Sequence, residues 1–161
     1  MRHQDVERYL TMYRRNVLTT ALCYVKNPSD ADDILQDVFF GLYKYDGSFN
    51  DDEHVKAWLI RCTVNRCRNL LGSHWYKASV PLDNAREQVH IDSYGESAAE
   101  LLQRIGKNNR IALYLHCYEG YSVSETAKIL GISENAVSSR LRRGREQLRK
   151  LLDEERKEYG Y

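Results

Sequence analysis

Ser122 to Leu152 reads SVSETAKILGISENAVSSRLRRGREQLRKLL, and the fold turns on this stretch. Its pattern predicts a short helix, a tight turn at Gly131-Ile132-Ser133 and one long basic helix. That is the helix-turn-helix arrangement, whose second helix lies in the major groove of DNA. Ser122 caps the short helix, and Glu125, three residues on, is placed to reach back as a capping box. Val123, Ala127, Ile129 and Leu130 supply one buried stripe. Gly131 stands where the helix stops, because a left-handed backbone costs glycine little. Ser133 then caps the second helix, where Val137, Leu141, Leu148, Leu151 and Leu152 make an apolar face. Arg140, Arg142, Arg143, Arg145, Arg149 and Lys150 occupy the remaining surface, with only Glu146 against them. A basic helix alone is equally well read as a solvated face. Two capped helices around a glycine turn favour DNA binding.

The 161 residues suffice for one domain or two small ones. Hydrophobic content of 42% supports packed cores, and two prolines with nine glycines argue against a disordered chain. Net charge is only +1, so its distribution is more informative than its sum. Between Lys26 and Glu53 the acids Asp30, Asp32, Asp33, Asp37, Asp46, Asp51, Asp52 and Glu53 stand against Lys26 and Lys44. The C-terminal end is basic, so the two ends suit different partners. MRHQDVERYL at the N-terminus has no apolar signal core, and no apolar run reaches the roughly 18 residues of a membrane span. A cytoplasmic protein without membrane insertion is the expectation. Cys23, Cys62, Cys67 and Cys117 lack metal-ligand spacing, which predicts four reduced core thiols and no metal. The histidines are scattered, and neither a nucleophile-base-acid set nor a phosphate-binding glycine loop is evident. The expectation is a protein without catalytic chemistry or cofactor.

The periodicity predicts a helix over Val6 to Tyr24, broken at Asn27-Pro28-Ser29. Ser29, with Asp32, is read as the cap of a second helix, Asp30 to Tyr45. In it Ala31, Ile34, Leu35, Val38, Leu42 and Tyr43 are expected to pack inward, while Asp33, Gln36, Asp37 and Phe40 gather on another side. Pattern alone leaves that face open between a solvated surface and a docking surface, with Phe40 the argument for docking. Asp46 to Glu53 reads as a loop and His54 to Leu71 as a third helix. The third helix carries Trp58, Lys56, Arg61, Arg66, Arg68, Asn65 and Asn69. It suits a phosphate backbone and an unstacked base, but without other clues a surface helix anchored by its tryptophan is the simpler reading. Gly72 to Glu96 reads as a linker. Beyond it Ser97, with Glu100, is expected to cap a helix through Ile105. Lys107-Asn108-Asn109 reads as a break and Arg110 to Tyr118 as a further helix. The fold class expected is all-α: two small helical domains joined by a flexible linker, the second containing the helix-turn-helix.

NPSDADDILQDVFFGLYKY, VKAWLIRCTVNRCRNLL and YEGYSVSETAKILGISENAVSSRLRRGREQL, in that order and at these separations, resemble an extracytoplasmic-function sigma factor. The resemblance covers nearly the whole chain. It implies sigma region 2 over 1–72, a linker over 73–96 and region 4 over 97–161. It also implies a dissociable subunit that binds core RNA polymerase and directs promoter-specific initiation. Asp33, Gln36, Asp37 and Phe40 match the helix that docks on the clamp helices of the largest polymerase subunit. Phe49, Asn50, Trp58, Arg61, Asn65, Arg68 and Asn69 match the elements that open the −10 promoter element and trap its single strand. Ser138, Ser139, Arg142 and Arg143 match positions facing base edges or phosphates of the −35 duplex, with Arg140 and Arg145 on phosphate or steadying the helix. An anti-sigma factor is a further expected partner. Two departures stand out. Ile105-Gly106-Lys107-Asn108-Asn109-Arg110 replaces the family's usual Leu-Pro pair, and Gly144 stands where alanine is common. The rival readings are a duplex-DNA regulator that needs no polymerase docking, and a protein-interaction module.

Overall fold

The computed structural model describes residues 1–73 and 101–159. The chain divides into two compact units, Met1–Val89 and His90–Tyr161, each considered by itself. Six α-helices carry the described residues: α1 His3–Leu22, α2 Pro28–Lys44, α3 Asp52–Gly72, α4 Lys107–Leu113, α5 Val123–Leu130 and α6 Glu134–Tyr159. A π-helical turn, Tyr114–Tyr118, prolongs α4. Leu101 to Gln103 are also helical, whereas Ser97 and Glu100, read as that helix's start, lie outside the described residues, as does the linker after Ser73. No described helix is long and apolar enough to cross a membrane.

In the first unit each of α1, α2 and α3 packs on the other two. Val17, Ala21, Val25, Leu42, Val55, Leu59, Ile60, Val64 and Cys67 are sealed between them. Each large side chain so buried contributes about 1.5–3 kcal/mol. Buried Thr20 and Thr63 satisfy their hydroxyls on the carbonyls of Asn16 and Leu59, four residues back. The start of α3 is fixed from α1. Tyr9 donates to the Asp52 carboxylate at 3.0 Å, Tyr13 donates to the Asp52 carbonyl at 3.0 Å, and Arg8 pairs with the same carboxylate at 3.5 Å.

Several boundaries depart from the sequence reading. Pro28 opens α2 instead of interrupting the chain, and Asn27, not Ser29, is the cap, its side chain accepting the Ser29 N–H at 2.8 Å. Proline suits the first helical position because its missing N–H would have no partner there. Tyr43 is exposed, and Phe39 packs inward in its place. α3 begins two residues before His54, because Asp51 caps it by accepting the His54 N–H at 2.8 Å. Lys107-Asn108-Asn109 is the first turn of α4, and the break falls at Gly106. Leu152 is exposed. Cys23 and Cys67 are buried thiols, but Cys62 is half-buried and Cys117 exposed, so the four do not share a core. Burial pushes the Cys67 thiol up to about 12.

In the second unit α4 and α5 both pack on α6. Ile105, Ile111, Leu115, Leu130, Val137 and Leu141 form the core. Where the Leu-Pro pair implied by the resemblance is missing, Arg110 secures the joint. Its buried guanidinium donates to the Ile105 carbonyl at 2.9 Å and the Gln103 carbonyl at 3.4 Å. The π-helical turn then delivers the chain to α5. Tyr114 hydrogen-bonds the Glu119 carboxylate, and His116 Nδ1 meets the Tyr121 carbonyl at 2.7 Å.

Candidate nucleic-acid interface

The capping signals at the helix-turn-helix are realised. Glu125 N–H donates to Ser122 Oγ at 3.0 Å, and Ser122 N–H returns a bond to the Glu125 carboxylate at 3.0 Å. The bond from the Ser122 N–H first, and the Ser122 hydroxyl after it, hold the Glu125 carboxyl below its usual range. Gly131 is left-handed at φ 66, and Ser133 Oγ accepts the Ala136 N–H at 3.1 Å. α6 therefore starts at a defined place and angle. Val137 and Leu141 are buried and Leu148 is half-buried, which turns Ser138, Arg142 and Arg145 outward at four- and three-residue spacing. Arg143 is also exposed, while Ser139 and Arg140 are half-buried. An exposed stripe of hydroxyl and guanidinium donors, with no ring among them, suits the edges of paired bases.

Gly144 has a steric reason. A Cβ there would stand 2.7 Å from Leu113 Cδ1 and 3.0 Å from Leu113 Cγ, so the missing side chain lets α4 close on α6. Asn109 then donates to the Gln147 side chain at 3.1 Å. The two departures, at Gly106–Asn109 and at Gly144, are thus one feature of packing.

The first unit presents a different surface. Tyr45, Phe49, His54 and Trp58 gather where the α2–α3 loop meets α3. Ring centres lie 5.0 Å apart for Tyr45–Trp58, 5.1 Å for Tyr45–Phe49, 5.1 Å for Phe49–His54 and 5.8 Å for Phe49–Trp58. Tyr45, Phe49 and Trp58 are half-buried, so the cluster is fixed from within and open on one side. The loop lies directly on it: a Cβ at Gly47 would stand 2.4 Å from the Tyr45 ring. Asn50 N–H donates to His54 Nδ1 at 3.0 Å, which leaves the exposed Asn50 amide on an anchored main chain. From Trp58 one face of α3 continues through exposed Arg61, Asn65 and Asn69. Arg68 is half-buried, with its charge beside Tyr24, whose hydroxyl burial pushes up to about 12. Fixed rings with amides and cations in line can take unstacked bases and the phosphates between them. Tyr45 and His54 were not singled out from sequence; their tie to Phe49 and Trp58 depends on how the loop closes.

On α2, Asp33, Gln36, Asp37 and Phe40 are all exposed on one face, Phe40 by 57%. Lys44 Nζ lies 4.3 Å from the Phe40 ring centre, and Asp37 lies 3.9 Å from Arg66 of α3. An exposed aromatic among carboxylates suits a protein partner with basic and apolar groups. Such exposed ion pairs are worth about 0–1 kcal/mol, so they yield readily to a partner.

Comparison with known proteins bears on both units. The model for sigma-70 region 2 matches residues 9–76, and that for sigma-70 region 4 matches residues 96–148. The extracytoplasmic-function RNA polymerase sigma factor SigM of Mycobacterium tuberculosis is 33% identical over 130 residues, 79% of this chain and 66% of that protein. The RNA polymerase sigma factor CnrH of Cupriavidus metallidurans is 29% identical over 142 residues, covering 78% of this chain and 74% of that one. Among solved structures, the sigma factor RpoE of Bartonella quintana, in complex with the anti-sigma factor NepR, aligns with a TM-score of 0.65. The identity is 22%, over 93% of this chain and 98% of that one. CnrH in complex with the cytosolic domain of CnrY aligns equally well, at 0.65 and 24% identity, over 94% and 90% of the two chains.

Proposed function

The chain belongs to the sigma-70 family, in its extracytoplasmic-function group, and on that premise we propose that it is an alternative sigma factor that gives core RNA polymerase its promoter specificity. Residues 1–72 act as region 2, 73–96 as linker and 97–161 as region 4. Asp33, Gln36, Asp37 and Phe40 dock on the clamp helices of the largest polymerase subunit. Ser138, Ser139, Arg142 and Arg143 meet base edges or phosphates of the −35 duplex, with Arg140 and Arg145 on its phosphates. Phe49, Asn50, Trp58, Arg61, Asn65, Arg68 and Asn69 trap the −10 single strand. The observation that carries this reading is the pairing of a capped helix-turn-helix with a separate unit bearing a fixed aromatic cluster. A duplex-only regulator has no use for the second feature.

The protein performs no covalent chemistry and acts in the cytoplasm, where its polymerase is. Melting DNA requires that the lost stacking of extruded bases be offset by contacts to those bases, and rings held in place offset it without an ordering cost. An anti-sigma factor that covers the docking or DNA faces is the natural regulator, as the solved RpoE carries the anti-sigma factor NepR. Capture of core polymerase by the chain, followed by run-off transcription and start-site mapping, tests the proposal. The expected result is initiation at sites that core enzyme alone does not use. A chain that neither binds core enzyme nor redirects initiation would refute it.

A further inference from the structure

His54 stands on the first turn of α3 and has no part in the core. It is exposed, and the cap of α3 is already made by Asp51, which accepts the His54 N–H at 2.8 Å. The imidazole serves the loop before the helix instead. Its Nδ1 accepts the Asn50 N–H at 3.0 Å. Among the described residues, Asn50 is the one position from Asp46 to Asn50 whose main-chain N–H makes a hydrogen bond. The same imidazole meets the Phe49 ring edge-on, with centres 5.1 Å apart and planes at 81°. Phe49 meets Trp58 in the same manner, at 5.8 Å and 78°. His54 therefore holds two consecutive loop residues, Phe49 by its ring and Asn50 by its main chain. Its own footing is firm, because the turn on which it stands is tied to α1 by Tyr9, Tyr13 and Arg8 through Asp52.

We infer that His54 is a positioning residue for the single-strand trap, a latch that sets the Phe49–Asn50 segment in its strand-binding arrangement before DNA arrives. The inference rests on the reading of the first unit as the holder of the −10 strand, and it adds a residue that acts through the loop and not on the DNA. An unlatched loop still offers Phe49 and Asn50, but each binding event must first order it, and that entropy is subtracted from affinity. The accepting nitrogen carries no proton, so the latch is a neutral hydrogen bond and not a charge. What matters at this position is then an acceptor atom bonded to Cγ. Asparagine offers its Oδ1 there, phenylalanine keeps a ring without an acceptor, and alanine has neither.

The test compares the full-length wild type with His54→Ala, His54→Asn and His54→Phe. The residue is exposed, so all four should stay folded, as thermal melts check. Hydrogen exchange of the Asn50 amide in the chain alone reads the latch itself. It should quicken about tenfold in His54→Ala and His54→Phe, the worth of one hydrogen bond, and stay slow in His54→Asn. Holoenzyme assembled with core polymerase is then titrated with a fluorescent −10 single-stranded oligonucleotide. Affinity should fall about tenfold in His54→Ala and His54→Phe, and asparagine should restore most of it. The slope of log affinity against log salt should be the same in all four, whereas a phosphate contact by His54 would lower it by about 0.7 in His54→Ala. Unaltered Asn50 exchange in His54→Ala, rescue by phenylalanine in place of asparagine, or a lowered salt slope would each overturn the inference. A wild-type chain that captures no core polymerase refutes the proposed function and the inference with it. Wild-type binding matched by His54→Ala refutes the latch alone, so the two failures are told apart.

Discussion

α3 and α6 are long basic helices, one in each unit, and they differ in what stands beside their polar faces. α3 starts in a packed group of four rings, Tyr45, Phe49, His54 and Trp58, and continues in amides. α6 starts from a capped turn, and its exposed surface carries serine and arginine with no ring from Glu134 to Glu158. A ring offers the edge of a stacked base pair no hydrogen bond, but its face holds a base that has left the stack. Guanidinium forks suit base edges and phosphates of an intact duplex. The difference assigns α3 to the single strand and α6 to the duplex within the proposed function.

The largest expected effect breaks the comparison at α3. Trp58→Ala removes a ring touching both Tyr45 and Phe49, and should cost about 3 kcal/mol in binding a −10 single-stranded oligonucleotide by the polymerase holoenzyme. Duplex binding should stay unchanged, and fluorescence anisotropy on both probes checks this. Next comes α6: Arg142→Ala should cost about 2 kcal/mol of discrimination at one −35 base pair. Competition among single-base-pair promoter variants reads it. Equal losses across all positions would make Arg142 a phosphate contact instead.

Smaller effects sharpen the account of how α6 is held. Gly144→Ala gains roughly 1 kcal/mol of helix propensity but presses on buried Leu113. Overpacking typically costs about 1–3 kcal/mol, so net destabilisation of about 1 kcal/mol is expected in urea unfolding. Leu113→Ala should remove the penalty for alanine at 144. Smallest is the pH response of the cap. Glu125 has its folded pKa lowered from 4.5 by the bonds from Ser122. A depressed carboxyl stabilises the fold above its unfolded pKa and loses that contribution as pH falls through the folded one. Thermal melts should therefore show part of the acid-side loss below about pH 4.5 disappearing in Glu125→Gln, by a few tenths of a kcal/mol at this exposed position.

What could be read in advance follows from how local each signal is. The capping box at Ser122, the left-handed Gly131 and the Ser133 cap are set by neighbours within three residues, and all three appear as expected. The exposed face of α2 is a matter of helical phase, which placed Asp33, Gln36, Asp37 and Phe40 together. The same phase misplaced Tyr43 and passed over Phe39, because both lie at the edge of the apolar stripe where a small rotation decides burial. Pro28 misled because proline signals the first residue of a helix as well as a break. Gly144 was conspicuous in the sequence, but only the fold shows that Leu113 fills its space. The ring cluster joins segments whose approach depends on tertiary packing, and no spacing rule reports it.

The division between the two helices is tested most directly by footprinting the holoenzyme on one promoter found by start-site mapping. Protection of the −35 duplex and permanganate reactivity of −10 thymines are read in the same reaction. The wild type should give both signals, and Trp58→Ala should keep −35 protection while losing thymine reactivity. Loss of both together in Trp58→Ala, or retention of full reactivity, would contradict the assignment of the single strand to α3 and the duplex to α6.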